Sequence, residues 1–393
     1  MDTITHGIAG ALIGKAFFDG EDLLSLRTVT AGRVVTLAAT IGGIFPDADV
    51  IGDMLSSNPM LILTWHRSLT HSLLALPCFA LLLAALTRWT AKRLGANSPP
   101  PAMLVLIYAV GIASHILLDL ITSYGTMIWW PLTRTRVSWD LIFIIDFTMT
   151  AILLLPQFLP QLFRSREAFP RRAVRMWLSF SVCAALAGWL LTLENFPPGI
   201  PAMLVAILAM AALLFLPAIG GWGFGVRLKS WNRAGVLAVG VYLGLAVLAH
   251  QAALERVRQF AARQQMTVDH LGALPLPPSL ANWDGLLRTP RGVYEQRLNL
   301  WEHFIAKPDD PIQYVFYPDS PGGEMLTAAR QLPEVQTYLW FARFPVFRSR
   351  KDGANTVVEF ADLRFFQRRG RSSFTYQVTL DAHGNVIQQG WLK

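Results

Sequence analysis

Six apolar stretches, at about residues 69–89, 103–122, 141–160, 174–193, 201–219 and 234–253, are each long enough to cross a hydrocarbon core, which takes roughly 17 to 25 helical residues. A backbone inside lipid must satisfy its own hydrogen bonds, so such stretches fold as helices. The expectation is an all-α polytopic membrane domain with six transmembrane helices. Composition agrees: 53% of the residues are hydrophobic, only 15% are charged, and the mean hydropathy is +0.39. Two earlier segments, about 3–18 and 29–45, are shorter and rich in Gly and Ala. Gly10 and Gly14 have the small-xxx-small spacing that lets helix backbones approach closely, so both segments read as packed, partly inserted helices.

The net charge of +8 would suit a nucleic-acid binder, but the basic residues are placed as membrane topology would place them, and no nucleic-acid partner is expected. Eleven lie in three loops that six crossings put on one side: Arg88, Lys92 and Arg93; Arg164, Arg166, Arg171, Arg172 and Arg175; Arg227, Lys229 and Arg233. The opposite loops hold two, Arg134 and Arg136, and none between Glu194 and Pro201. The basic side reads as cytoplasmic, the C-terminal part as periplasmic, and the location as a bacterial inner membrane. Met1 to His6 has no basic leader, so no removable signal is expected. Cys78 and Cys183, the only cysteines, both fall in apolar runs, so neither a disulfide framework nor a thiolate zinc module is available.

From about Glu255 charges become frequent, and His270 to Pro278 reads as a Pro-rich junction between domains. Beyond it a small α+β soluble domain is expected, with a helix near Leu332–Phe341. Phe374, Tyr376, Val378 and Leu380 alternate with polar residues, and Asp381 to Asn385 turns the strand into Val386–Trp391. The organisation read from sequence is thus 1–160, a membrane-embedded metal-site domain; 161–254, additional transmembrane helices; and 255–393, a non-cytoplasmic α+β domain.

Ionisable residues inside apolar segments are costly and by default mark function. His115 and Asp119, four apart, share one helix face and suit either one metal or a hydrogen bond between helices. His66 and His71 are five apart and do not share a face. His66 reads as the lead-in and His71 as the first turn of a helix that Ser68 or Thr70 would cap; water-exposed interfacial histidines are the plainer alternative. Asp47 and Asp49 follow Pro46, which is expected to stop the preceding helix, and they terminate a nearly charge-free stretch. His6 alone is weak evidence. Asp140 and Asp146 suit supporting roles or a simple interfacial boundary. With the basic loops inside, Asp47, Asp49, His66, His71, His115, Asp119 and Asp140 all fall toward the outer helix ends. Imidazole and carboxylate without thiolate suit a divalent metal, zinc ahead of manganese or iron, as one or two ions.

The stretch Asp2 to His6 with Gly10, the Pro46–Asp49 turn, His66-Arg67-Ser68-Leu69-Thr70-His71-Ser72, and His115 to Asp119 together resemble the YdjM family of inner-membrane metal-dependent hydrolases. The resemblance covers roughly residues 1–150. It implies a metal-binding constellation of His6, Asp49, His66, His71, His115 and Asp119, and supplies no substrate.

The expected activity is hydrolysis of an ester or phosphoester in a membrane lipid or lipid-linked substrate. Asp47 or Asp119 would take the water proton, and Arg67 would pair a phosphate through its planar guanidinium. Arg348, Arg350, Lys351 and Arg368 to Arg371 would attract an anionic surface, unless they are simply a solvated face. Two rivals use the same residues. A metal or proton transporter would place its ligands near the midplane between repeated halves, and no repeat is visible. A non-enzymatic envelope protein would use the metal only to staple helices.

Overall fold

The computed structural model of the chain describes residues 1–23, 30–193, 200–300, 314–365 and 374–392. The helices in chain order are α1 (Thr3–Phe17), α2 (Ala31–Ile44), α3 (Val50–Met54), α4 (Leu61–Thr64), α5 (Leu76–Arg93), α6 (Pro101–Leu120), α7 (Phe147–Leu162), α8 (Phe169–Leu193), α9 (Ile200–Ile219) and α10 (Leu228–Arg263). Every apolar stretch read from the sequence overlaps one. Six membrane crossings do not follow from this. Among the described residues three helical runs are long and apolar enough to span, Ala31–Met54, Pro101–Leu120 and Leu228–Arg263. A fourth span would require counting Leu61–His71 together with Leu76–Arg93 across their 72° bend.

Local expectations are refined at three points. The α-helix before Pro46 does end, at Ile44, but Phe45–Asp49 tightens to a 3-10 turn and α3 continues the helical run to Met54. Neither Ser68 nor Thr70 caps a helix. The Ser68 hydroxyl donates to the Trp65 carbonyl, that of Thr70 donates to Asp49, and α5 begins only at Leu76. Finally, α10 runs on past Glu255 to Arg263.

The chain divides into two units. The first comprises Met1–Pro46, Leu73–Asp119 and Ile144–Leu245. Asp2 caps α1 by accepting from the Thr5 amide at 2.9 Å. The expected close packing at Gly10 is realised against α2, where a Cβ on Gly10 would lie 2.2 Å from the Ala39 carbonyl oxygen. A Cβ on Gly43 would lie 2.5 Å from the His6 carbonyl oxygen, and one on Gly111 3.0 Å from the Gly42 Cα. Glycines thus set the spacing of α1, α2 and α6. Asp146 caps α7 through the Met149 amide at 2.8 Å and accepts the Tyr242 hydroxyl of α10 at 2.8 Å.

The second unit joins Asp47–Ser72 and Leu120–Phe143 with Ala246–Lys393. Its strands are β1 (His270–Leu276), β2 (Asn282–Thr289), β3 (Gly292–Asn299), β4 (Val315–Pro318), β5 (Pro345–Asp352), β6 (Asn355–Asp362), β7 (Thr375–Leu380) and β8 (Val386–Trp391). They form two four-stranded antiparallel sheets, β1-β2-β3-β4 and β5-β6-β7-β8. The stretch read as a Pro-rich junction is therefore largely a strand. Its Pro275 is tolerated because β1 lies at a sheet edge, where the missing amide breaks no ladder. The expected helix is present at Pro333–Phe341, and a shorter one precedes it at Glu324–Arg330.

Ala253, Val257 and Ala261 of α10 bury Trp283, Leu287 and Leu298 on the first sheet. Met60, Leu63 and Tyr124, from the two segments nearer the N-terminus, join Tyr338, Phe341, Phe360 and Tyr376 in the core of the second. Arg348, Arg350 and Lys351 are exposed on β5, as a solvated face would be, whereas Arg368 to Arg371, like Glu194 to Gly199, lie outside the described residues.

Candidate metal site

In the first unit, glycine spacing brings two imidazoles together. The rings of His6 and His115 stack, with centroids 3.6 Å apart and planes 19° from parallel. His115 Nδ1 lies 2.7 Å from the Gly43 carbonyl oxygen. A carbonyl only accepts, so Nδ1 carries the proton and Nε2 presents its lone pair. That Nε2 is 3.5 Å from Asp119 Oδ2, and His6 Nε2 is 3.2 Å from Asp119 Oδ1. The Met1 ammonium group also lies on Asp119 Oδ1. His6, His115 and Asp119 are fully buried.

In the second unit, Asp49 organises the segment that follows it. Its Oδ1 is 2.9 Å from His66 Nδ1, and its Oδ2 accepts the Arg67 amide at 3.0 Å and the Thr70 hydroxyl at 3.1 Å. His71 Nδ1 is 3.0 Å from Thr70 Oγ1 and 3.4 Å from Asp49 Oδ2; because the Thr70 hydroxyl already donates to Asp49, it accepts from Nδ1, which leaves His71 Nε2 directed at Asp47 Oδ1, 3.8 Å away.

Arg67 has the left-handed φ of +62°, which turns the chain between the two histidines. Its guanidinium is buried over the Tyr124 ring at 4.9 Å and donates to Thr122 Oγ1 at 3.2 Å. Arg136 fixes the same segment from Leu120–Phe143. Its Nη2 donates to the carbonyls of Leu63 at 2.6 Å and His66 at 2.9 Å, and its Nη1 to that of Gly125 at 2.7 Å. Burial pushes this guanidinium down to about 10, so it stays charged at neutral pH.

Each unit thus offers a half-set of metal-type donors, Asp47 with His71 in the second and His115 with Asp119 in the first, each residue presenting one ligand atom. The donor set fits a divalent metal in a further respect. Both histidines hold Nδ1 on an acceptor, the Gly43 carbonyl for His115 and the Asp49-bound Thr70 hydroxyl for His71, and direct Nε2 at carboxylates. This is the arrangement by which a buried acceptor orients a metal-ligating imidazole.

Residues 1–195 match the YdjM inner membrane protein family. No curated protein and no solved structure matches the chain. Within the YdjM region, four of the residues singled out from sequence offer metal-ligand atoms, Asp47 and His71 in the second unit and His115 and Asp119 in the first. Asp49 stands behind His71 and also partners His66, Arg67 and Thr70. His6 stacks on His115, and Arg67 lies on the segment that carries His71. Asp140 and Asp146 are engaged elsewhere, by Arg343 and as the cap of α7. Sequence reasoning passed over Gly43 and Arg136. The signal for Arg136 was its place in a loop otherwise poor in basic residues.

Proposed function

We propose that the protein is a membrane-bound metal-dependent hydrolase acting on an ester or phosphoester of a lipid or lipid-linked substrate at the outer face of the inner membrane. The observation that carries this reading is the pinning of Nδ1 in both His71 and His115, which turns both Nε2 atoms toward carboxylates as in a metal-ligating imidazole. Asp47 and His71 in the second unit and His115 and Asp119 in the first would supply the metal ligands, with zinc the best match to imidazole and carboxylate donors. When bound, a divalent ion supplies Lewis acidity toward a carbonyl or phosphoryl oxygen and acidifies water.

The chain's own residues do the rest. Asp47 is the least buried of the four, its side chain 11% exposed against none for His71, and it is placed to accept a proton from water. Asp49 holds the His71 ring and the Arg67 amide in register. Arg67, turned by its positive φ and backed by Tyr124, offers a planar guanidinium to a phosphate oxygen. A lipid or lipid-linked ester matches a site carried on membrane helices.

The test compares wild type, His71→Ala and Arg67→Ala in purified protein, measuring bound metal and turnover of a panel of lipid phosphoesters and carboxylic esters. Wild type should hold metal and turn over at least one class. His71→Ala should lose both properties, and Arg67→Ala should keep metal but lose turnover. Full burial of His71, His115 and Asp119 favours one alternative, a metal that only staples helices. Metal bound without turnover of any substrate would select it.

A further inference from the structure

The two stacked imidazoles address different oxygens of one carboxylate. His115 Nε2 faces Asp119 Oδ2 at 3.5 Å, whereas His6 Nε2 faces Oδ1 at 3.2 Å. His115 is anchored through Nδ1 on the Gly43 carbonyl, and His6 has no such anchor. Yet His6 is fully buried, its Nδ1 makes no hydrogen bond, and its Nε2 meets Asp119 Oδ1 at 3.2 Å in poor alignment for one. A buried imidazole without a hydrogen bond is unfavourable unless something else uses its lone pair. The oxygen it faces is one that already receives a cationic group, the Met1 ammonium.

We infer that Asp119 bridges two divalent ions, one on each oxygen, and that His6 Nε2 with Asp119 Oδ1 holds the second. The inference rests on the metal reading above and adds an ion to it. The geometry supports it in two ways. The stacked rings, 3.6 Å apart, present their Nε2 atoms side by side, as ligands of two closely paired ions must be. A carboxylate whose oxygens each face a different imidazole is also the arrangement a bridge requires. The second ion would displace the Met1 ammonium from Oδ1 and complete its coordination with water or substrate oxygens. The substrate class this favours is a phosphoester, because two ions can clamp the attacking and leaving oxygens of an in-line displacement.

The experiment uses the full chain in lipid nanodiscs, stripped by chelator and titrated with Mn²⁺ alone, with stoichiometry and electron paramagnetic resonance as readouts. Wild type should take up two equivalents and, at saturation, show the exchange-coupled spectrum of paired ions. His6→Gln, which keeps volume and polarity, should bind one equivalent with an uncoupled six-line spectrum. One equivalent and an uncoupled spectrum in wild type would overturn the second ion while leaving the single-metal reading intact. Two equivalents retained in His6→Gln would overturn the assignment to His6. Wild type that binds no metal would overturn both readings, and since this needs no variant, misfolding of His6→Gln cannot hide the answer.

Discussion

Arg343 holds Asp140 through two parallel hydrogen bonds, Nη1 to Oδ1 and Nη2 to Oδ2, each 2.9 Å long. Nη1 also donates to Ser138 Oγ at 2.8 Å. Asp140 sits at a φ of +53°, a conformation that Asp and Asn tolerate better than most residues. Arg343→Ala leaves this carboxylate buried without its partner. With Arg343 itself a quarter exposed, the expected loss is about 2 kcal/mol. Asp140→Asn in the Arg343→Ala background should recover part of it by removing the stranded charge. Thermal unfolding of the purified protein checks the order wild type, double variant, Arg343→Ala.

The glycine contacts predict a contrast between two identical substitutions. Gly10→Ala puts a methyl 2.2 Å from the Ala39 carbonyl oxygen, and α1 and α2 must separate, at a cost of about 1–3 kcal/mol. Gly240→Ala, on α10 with nothing within 4 Å, should be neutral or stabilising by up to about 1 kcal/mol through helix propensity. Because α1 carries His6 and α2 carries Gly43, Gly10→Ala should also weaken metal binding. Equal effects of the two changes on unfolding temperature would refute the packing account.

Asp284, buried on β2 beside Glu295, has its carboxyl pushed well above the ordinary 3.8, by burial first and the neighbouring carboxylate second. A carboxyl raised in the folded state binds more protons there than in the unfolded chain. Its contribution to stability is therefore complete below about pH 4 and is lost as pH rises through the folded value. Asp284→Asn removes this slope, so the variant should gain stability relative to wild type as pH is raised from 5 to 8. Unfolding scans across that range that keep the two proteins a constant interval apart would contradict the argument.

Loop charge predicts sidedness. Phosphatase and fluorescent-protein fusions at Ala168 and after Leu392 should report opposite sides, with Ala168 cytoplasmic. Both on one side would remove the outer-face placement of the site.

The helices were legible because apolar length and glycine spacing are local signals, and the i,i+4 pair His115–Asp119 was legible for the same reason. What escaped was set by distant partners. The bend after His71 is bound up with carbonyls that Arg136 satisfies from 70 and 73 residues away, and no local pattern records such a bond. Pro275 and Pro277 disguised β1, because proline reads as a break unless the strand is known to lie at an edge. The close approach at Gly43 was equally invisible, since a glycine in an apolar helix does not say which backbone it admits.

The interrupted Leu61–His71 segment bears on how the chain is synthesised and inserted. Its Leu63 and His66 carbonyls are met by a guanidinium that emerges 73 and 70 residues later. At about 5–20 residues per second that is a delay of roughly 4 to 15 seconds. An unpaired carbonyl in hydrocarbon costs several kcal/mol. Wherever those carbonyls would meet hydrocarbon, the nascent segment needs shelter from water or the insertion machinery until Arg136 arrives, which ties commitment of the His66–His71 loop to translation past that residue.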